Sequence, residues 1–316
     1  MAAEPTMPAL DFDLQGHRGA RGLYPENTIS GFKRALGIGV TTFEIDLGMT
    51  RDDVLVISHD SALNPDITRG PDGAFLTARG PVIRTLTFSE LARYDVGRIK
   101  PGTDYARRYP DQQPIDGARI PALSELFELL QKPAAAHVRL LIELKLKPGN
   151  HDAPDPPTFA AAVAKAIRAA GMTNRVTVQS FHWQVVVEIA KIAPEIPRAV
   201  LSVESAEEDT IQRGRPGPSP WTAGLAVDDF GGSVPRMVVA AGAGQWTPYF
   251  RNVDAEVMRE ARAAGVRVVP WTVNEPAEMA RLIALGVDGM ISDHPDRLRA
   301  VMADKGLRLP PQVQIG

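Results

Sequence analysis

Between positions 17 and 60 the chain carries two histidines, His17 and His59, with Arg18 beside the first. The same stretch holds Glu26 after a proline, and Glu44 and Asp46 two residues apart. On a strand that spacing puts both carboxylates on one face, about 7 Å apart along the chain. A paired carboxylate face beside two imidazoles suits a hard divalent cation with proton-transferring groups next to it. Glu143 adds a third carboxylate as the penultimate residue of an otherwise apolar run, residues 138–144, where a lone charge is costly unless paired or bound to metal. Three carboxylates without cysteine or a histidine cluster make an all-oxygen site for one divalent ion, Mg²⁺ or Ca²⁺. Arg18 and Lys145 bring two cations to the same place and point to an anionic substrate such as a phosphate. The histidines supply proton affinity near neutral pH. Together these are the components needed to hydrolyse a phosphodiester.

Singly, each feature has a blander explanation. A His-Arg pair at a strand end is usually structural, and Glu-x-Asp usually marks a solvated edge. Glu143-x-Lys145 would be a surface ion pair, and Trp271 core packing. The joint pattern outweighs these. His137, His151, His182 and His294 have no supporting pattern and read as surface groups or as groups behind the site.

Those residues need elements to hold them. Residues 13–16 read as a strand delivering His17 and Arg18. A helix follows over 28–36, capped by Asn27 and stopped by Gly37, and then a strand over 40–47. Residues 54–58 form a short strand too close behind to cross over in parallel, so it opens an insertion running to about residue 119. That insertion is rich in Gly and Pro, with one short helix near 89–94, and is expected to fold over one end of the main unit. Alternation then resumes, with helices over 123–130, 158–170, 183–192, 255–264, 276–285 and 295–302. Strands fall at 138–144, 175–181, 198–203, 245–249, 266–273 and 289–292. Residues 204–221 read as a second long loop, and 306–316 as a loose tail. Without the strand at 54–58 there are eight strands, the order of a (β/α)₈ TIM barrel with a loop-rich subdomain inserted after the second strand, at about 52–119. An open doubly wound sheet is disfavoured because it would scatter the charged strand ends that a barrel gathers at one mouth.

Composition narrows the class. A 316-residue chain with 44% hydrophobic and 23% charged residues reads as one soluble globular unit. A net charge of −3 without a long basic run argues against nucleic acid as partner. No apolar window is long enough to span a membrane, and with no cysteine there is no disulfide or thiolate chemistry. The start, MAAEPTMPALDF, lacks the basic and apolar regions of a signal peptide. It is equally consistent with the remainder after one was removed and with a plain lead-in.

The segments His17-Arg18-Gly19, Pro25-Glu26-Asn27-Thr28, Glu44-Ile45-Asp46, His59-Asp60, Ile142-Glu143-Leu144-Lys145, Gln179-Ser180-Phe181 and Trp271-Thr272-Val273-Asn274 occur in that order. The sequence thereby resembles the glycerophosphodiester phosphodiesterase family from residue 14 to about 303. Gly286-Val287-Asp288-Gly289 through Asp293-His294-Pro295 is similar to that family's closing motif. The resemblance implies a barrel enzyme that releases glycerol 3-phosphate and an alcohol from a small glycerophosphodiester. Glu44, Asp46 and Glu143 would hold the metal, and His17 and His59 would act as general acid and base. Arg18, Lys145, Glu26, Gln179 and Trp271 would contact the phosphate or substrate, Glu26 by orienting Arg18 or the metal shell. Two departures from the pattern, His182-Trp183 and Ser292, bear at most on pocket shape. The long insertion and the 204–221 loop resemble those of exported bacterial members and favour a periplasmic or secreted location over a cytoplasmic one.

Two rivals remain. A phospholipase D-like lyase forming a cyclic phosphate shares barrel and metal triad, but its relatives usually carry a disulfide-stapled loop and this chain has no cysteine. A non-catalytic barrel binding phosphorylated ligands would need a lost ligand or histidine, and none is missing.

Overall fold

The computed structural model describes residues 12–315. The lead-in at residues 1–11 therefore lies outside the described residues. Strand β1 (Asp13–His17) is followed by helix α1 (Ile29–Ile38) and strand β2 (Thr42–Met49), which pairs with β1 in parallel. The helix is capped by Thr28, whose Oγ1 accepts from Gly31 N at 3.0 Å, and ends at Gly39, φ 85°. Asn27 and Gly37 thus do not bound it. Asn27 stands at φ 54° outside the helix, and its amide is committed to the site described below.

Strand β3 (Leu55–Ile57) turns back antiparallel on β2, as the short connection between them demands. Residues 58–119 follow with helices α2 (Phe88–Leu91) and α3 (Asp104–Arg108). A satellite core of Val56, Leu63, Ile83, Leu91, Val96 and Ile120 lies beneath these loops. The second helix was not expected from sequence, because five residues are too few to show a period.

The chain continues through α4 (Leu123–Gln131), β4 (Arg139–Leu144), α5 (Pro156–Ala169), β5 (Val176–Ser180), α6 (Trp183–Ile192) and β6 (Arg198–Ser202). After the long loop come α7 (Val234–Ala240), β7 (Gln245–Pro248), α8 (Ala255–Ala264), β8 (Arg267–Val268), α9 (Pro276–Leu285), β9 (Gly289–Ser292) and α10 (Pro295–Asp304). Helix α7 escaped the sequence reading because VPRMVVA spans only seven residues, apolar but for Arg236, too few to show a 3.6-residue rhythm. Strand β8 is far shorter than the strand expected at 266–273. Pro270 has no N–H for the ladder, and Trp271 rejoins as an isolated bridge, its N–H on Pro248 O at 3.0 Å and its carbonyl accepting from Phe250 N at 2.9 Å.

The eight strands other than β3 lie in the parallel order β8-β7-β6-β5-β4-β2-β1-β9. Single bonds close the ring between its ends: Asp288 N to Val268 O at 2.9 Å, Ile291 N to Pro270 O at 3.0 Å, and Val273 N to Ile291 O at 2.9 Å. The result is a nearly closed (β/α)₈ barrel. Phe43, Ile45 and Leu47 of β2 belong to the main core with Phe32 and Leu36 of α1. The alternate residues of the same strand are Glu44 and Asp46, which the two-residue period therefore sends to the barrel interior. Inside, Leu141, Ala199, Val269 and Ile291 form an apolar plug beneath them. The segment expected to be a loose tail is not loose. Leu307, Leu309, Val313 and Ile315 pack on the core, Val313 N bonds Leu36 O at 2.9 Å, and Arg299 holds Pro310 O at 2.7 Å.

Candidate active site

Register decides which strand ends meet. His17 on β1 pairs with Glu44 on β2, Asp46 pairs with Glu143 on β4, and Glu143 pairs with Gln179 on β5. Three carboxylates are thereby forced together. One oxygen each from Glu44, Asp46 and Glu143 lies within 4.8 Å of the others, at residue exposures of 2%, 1% and 6%. Three anions at that depth require counter-charge. Part comes from Lys145 Nζ, 2.8 Å from Glu143 Oε1 and 3.6 Å from Asp46 Oδ1, and from Arg18 Nε, 3.3 Å from Asp46 Oδ2. Asn27 Nδ2 donates to Asp46 Oδ2 at 2.9 Å, while Gln179 Nε2 and Arg18 N each donate to Glu44 at 3.3 Å.

The compensation is uneven. Burial pushes the Glu44 carboxyl well above its ordinary range, with Asp46 and Glu143 adding to the effect. Glu143 is raised chiefly by burial too, against the opposing pull of Lys145. Burial would also raise Asp46, but Arg18, His59 and Lys145 outweigh it and hold that carboxyl low. A site with more carboxylate than resident cation, all hard oxygen donors, fits a divalent ion of the Mg²⁺ or Ca²⁺ type.

Each histidine is held by a carboxylate on Nδ1. His17 Nδ1 lies 2.6 Å from Asp293 Oδ1, and His59 Nδ1 lies 2.8 Å from Asp60 Oδ1, which Asn64 Nδ2 in turn steadies at 2.8 Å. With the proton on Nδ1, each Nε2 is left as the proton-accepting nitrogen, and that of His17 stands 3.8 Å from Glu44. Burial, with help from Arg21, drives His17 down to about 4 despite Asp293. His59 is shifted the same way by burial and by Arg18, although its side chain is 31% exposed and so more open to water.

The loop from β1 to α1 is built for close quarters. A Cβ at Gly16 would collide with Gly19 O, so only glycine fits there. Arg18 itself stands at φ 51°, an uncommon backbone state for a side-chain-bearing residue that its surroundings must enforce. Glu26 Oε1 accepts from Arg18 Nη1 at 2.9 Å. Above the acids opens a cavity of about 540 Å³, lined by His59, Glu143, Lys145, Phe181, Trp221 and Trp271 among others. Phe181 meets Trp271 edge-on at 5.3 Å, and Trp271 Nε1 is anchored to Thr247 O at 2.9 Å.

All ten residues picked out by sequence gather at this mouth or directly behind it. Asp293 had been quoted only as part of a closing motif, yet it is the hub of the site. It also receives Arg21 Nε at 2.8 Å and Nη2 at 3.2 Å, Asn274 Nδ2 at 2.8 Å and the Tyr109 hydroxyl at 3.3 Å. Asp60 likewise stood within a motif without a role, Asn27 read only as a helix cap, and Tyr105, whose hydroxyl donates to Glu26 Oε2, gave no signal at all. Of the two readings open for His294, a surface group or one behind the site, the structure gives a buried residue, packed where a Cβ on Gly22 would fall. Trp183 is core, its Nε1 on Leu201 O at 2.9 Å, and does not line the cavity. Ser292 is also buried, its hydroxyl accepting from His294 N at 3.0 Å.

The sequence matches the model of the Glycerophosphoryl diester phosphodiesterase family over residues 17–297. A glycerophosphodiester phosphodiesterase of Caldanaerobacter subterraneus subsp. tengcongensis is 28% identical over 283 residues, 89% of this chain and 94% of that one. A crystal structure of a candidate glycerophosphoryl diester phosphodiesterase from Silicibacter pomeroyi superposes with a TM-score of 0.83 at 35% identity, covering 94% and 95% of the two chains. An Oleispira antarctica phosphodiesterase in complex with the product sn-glycerol-3-phosphate shares the fold, with a TM-score of 0.65 at 22% identity over 92% and 96%.

Proposed function

This chain belongs to the glycerophosphoryl diester phosphodiesterase family, and from that membership we propose a metal-dependent hydrolysis of glycerophosphodiesters to glycerol 3-phosphate and an alcohol. The observation that carries the metal dependence is the buried carboxylate triad, Glu44, Asp46 and Glu143, with its oxygens within 4.8 Å. These three would hold one Mg²⁺ or Ca²⁺. When bound, such an ion supplies positive charge against the phosphate oxygens and the charge that accumulates in the transition state.

The chain's own groups do the rest. Arg18 and Lys145, fixed by Glu26, Asp46 and Glu143, steer the phosphate and neutralise it. One of His17 and His59 takes the proton of the attacking nucleophile, either water or a neighbouring glycerol hydroxyl whose cyclic phosphate water then opens, and the other, in its protonated form, gives its proton to the departing alcohol oxygen. Asp293 and Asp60 keep the two rings oriented for that exchange. Gln179 holds Glu44 in place, and Trp271 offers an aromatic face to the organic part of the substrate.

Among the described residues no helix is long and apolar enough to cross a membrane. We read the chain as one barrel domain carrying the segment at about 52–119 as an insertion, acting in the periplasm or outside the cell. That location rests on the long insertion and the long loop after β6.

The test is glycerol 3-phosphate release from glycerophosphocholine by enzyme stripped with a chelator and resupplied with Mg²⁺ or Ca²⁺. Activity should return only with metal and fall by roughly 10²-fold or more in His17→Ala and in Glu44→Ala. Folded enzyme that no metal activates on any headgroup would remove the reading. A stable cyclic phosphate as the sole product would move it to the lyase.

A further inference from the structure

Helix α3 is five residues long and contains no buried residue, so neither propensity nor an apolar face of its own explains why it forms. What it does have is a pair of tyrosines four positions apart, Tyr105 within it and Tyr109 at its end. The spacing puts them on one side, and their rings touch at 4.9 Å between centroids. Both hydroxyls reach carboxylates, and in each case the other carboxylate oxygen grips a residue of the reaction centre. Tyr105 donates to Glu26 Oε2, while Glu26 Oε1 holds Arg18 Nη1 at 2.9 Å. Tyr109 donates to Asp293 Oδ2 at 3.3 Å, while Asp293 Oδ1 holds His17 Nδ1 at 2.6 Å. The Tyr109 ring also lies under the guanidinium of Arg21, 4.9 Å from its centroid, and Arg21 clasps the same Asp293. Gln112 Nε2 on Arg21 O at 2.7 Å and Gln113 N on Leu23 O at 2.8 Å pin the following residues to the same loop.

We propose that Tyr105 and Tyr109, supplied by the inserted segment, are positioning residues that fix Arg18 and His17 through Glu26 and Asp293. The insertion is then a brace for the reaction centre as well as a wall of its mouth. Neither tyrosine lines the cavity above the carboxylates, so their effect passes through the two acids and not through contact with substrate. The need for such a brace is physical. Glu26 is a buried carboxylate, and without the Tyr105 hydroxyl one of its oxygens loses a donor, freeing it to turn away from Arg18. Arg18 occupies an uncommon backbone state, which persists only where neighbours over-determine it. On the other side, Asp293 sets the angle of His17, and a proton donor or acceptor displaced by even part of an ångström loses rate.

The proposal rests on the reading above that Arg18 and His17 act on the phosphodiester, so both are controls in its test. Steady-state kcat and KM are measured for Tyr105→Phe, Tyr109→Phe, Glu26→Gln, the double variant Tyr105→Phe/Glu26→Gln, Arg18→Ala and His17→Ala. Each is assayed at a temperature where near-UV circular dichroism shows it folded; phenylalanine keeps the ring packing. Tyr105→Phe should raise KM about fivefold with kcat changed less, because it loosens a phosphate contact. Tyr109→Phe should lower kcat about fivefold with KM nearly unchanged. Added to Glu26→Gln, Tyr105→Phe should cost nothing further, since it acts through that acid. If His17→Ala is inactive, Arg18→Ala is weak and both phenylalanine variants keep wild-type kcat and KM, the tyrosines merely anchor the insertion and the proposal falls alone. Equal losses in kcat and KM for both, or full additivity with Glu26→Gln, would overturn it as well. If Arg18→Ala and His17→Ala themselves keep wild-type rates, the site reading fails and takes the proposal with it.

Discussion

Asp293 shows how much of this site depends on residues that never face the cavity. Its carboxyl would be raised by burial, yet Arg21 and His17 hold it well below the ordinary range, so it remains an anion beside the imidazole. An anion there fixes the Nδ1 proton and leaves Nε2 basic, which an amide in its place cannot do as well. Asp293→Asn should therefore lower kcat by roughly 10- to 100-fold with a smaller change in KM. A kcat within twofold of wild type would exclude Asp293 from the proton-transfer machinery. The three carboxylates proposed to hold a metal, and both histidines, were legible in the sequence because their types and spacing are unusual at the ends of apolar strands. Asp293 was visible only as a letter in a motif, since its partners lie 276, 272, 184 and 19 positions away.

Among the elements, β1 does two jobs at its two ends. At the far end from His17, buried Asp13 accepts from Thr41 Oγ1 at 2.5 Å, Thr42 Oγ1 at 2.7 Å and Gln15 Nε2 at 2.9 Å, with Arg139 Nη2 at 3.3 Å. Burial pushes this carboxyl up, but Arg139 and the threonine hydroxyls together outweigh it, so it lies below the value of 3.8 that it has in the unfolded chain. The folded state binds that proton less readily than the unfolded state. Asp13 thus contributes stability at all pH above the unfolded value, and the contribution fades as pH falls through the folded one. Urea unfolding of wild type and Asp13→Asn should show the widest gap at neutral pH and a narrower one near about pH 3. A gap independent of pH would mean the carboxylate charge contributes nothing. Strand and helix positions came through from sequence wherever the period was clean, as in α6, α8 and α9. They failed at β8 and α7, where a proline and a short, nearly all-apolar segment erased it.

Across the whole molecule the barrel closes at its weakest seam. Strand β8 contributes only Arg267 and Val268, and the junction with β9 leans on Asp288, whose Oδ2 accepts from buried Val268 N at 2.7 Å. Removing that acceptor leaves a buried N–H unpaired, so Asp288→Ala should lower the unfolding free energy by about 1–3 kcal/mol, read from the midpoint of urea unfolding. An unchanged midpoint would show that the remaining backbone bonds suffice to close the ring. Closure also matters for chemistry, because it is what carries Asp293, just past the last strand, back beside His17 on the first.

The amino-acid sequence by itself determined the chemistry available and the order of the elements. Two-residue spacing sent Glu44 and Asp46 to one face, and a charge near the end of an apolar strand marked Glu143. Eight alternations implied a ring with one mouth. Each of these follows from local rules acting over a few residues. Only the tertiary structure decided which distant side chains hold the reactive ones: Asp293 on His17, Asn27 on Asp46, Tyr105 on Glu26 and Tyr109 on Asp293. Such pairings are set by strand register, by closure of the ring and by where a loop-rich insertion docks. Hydrophobic periodicity carries no record of any of the three.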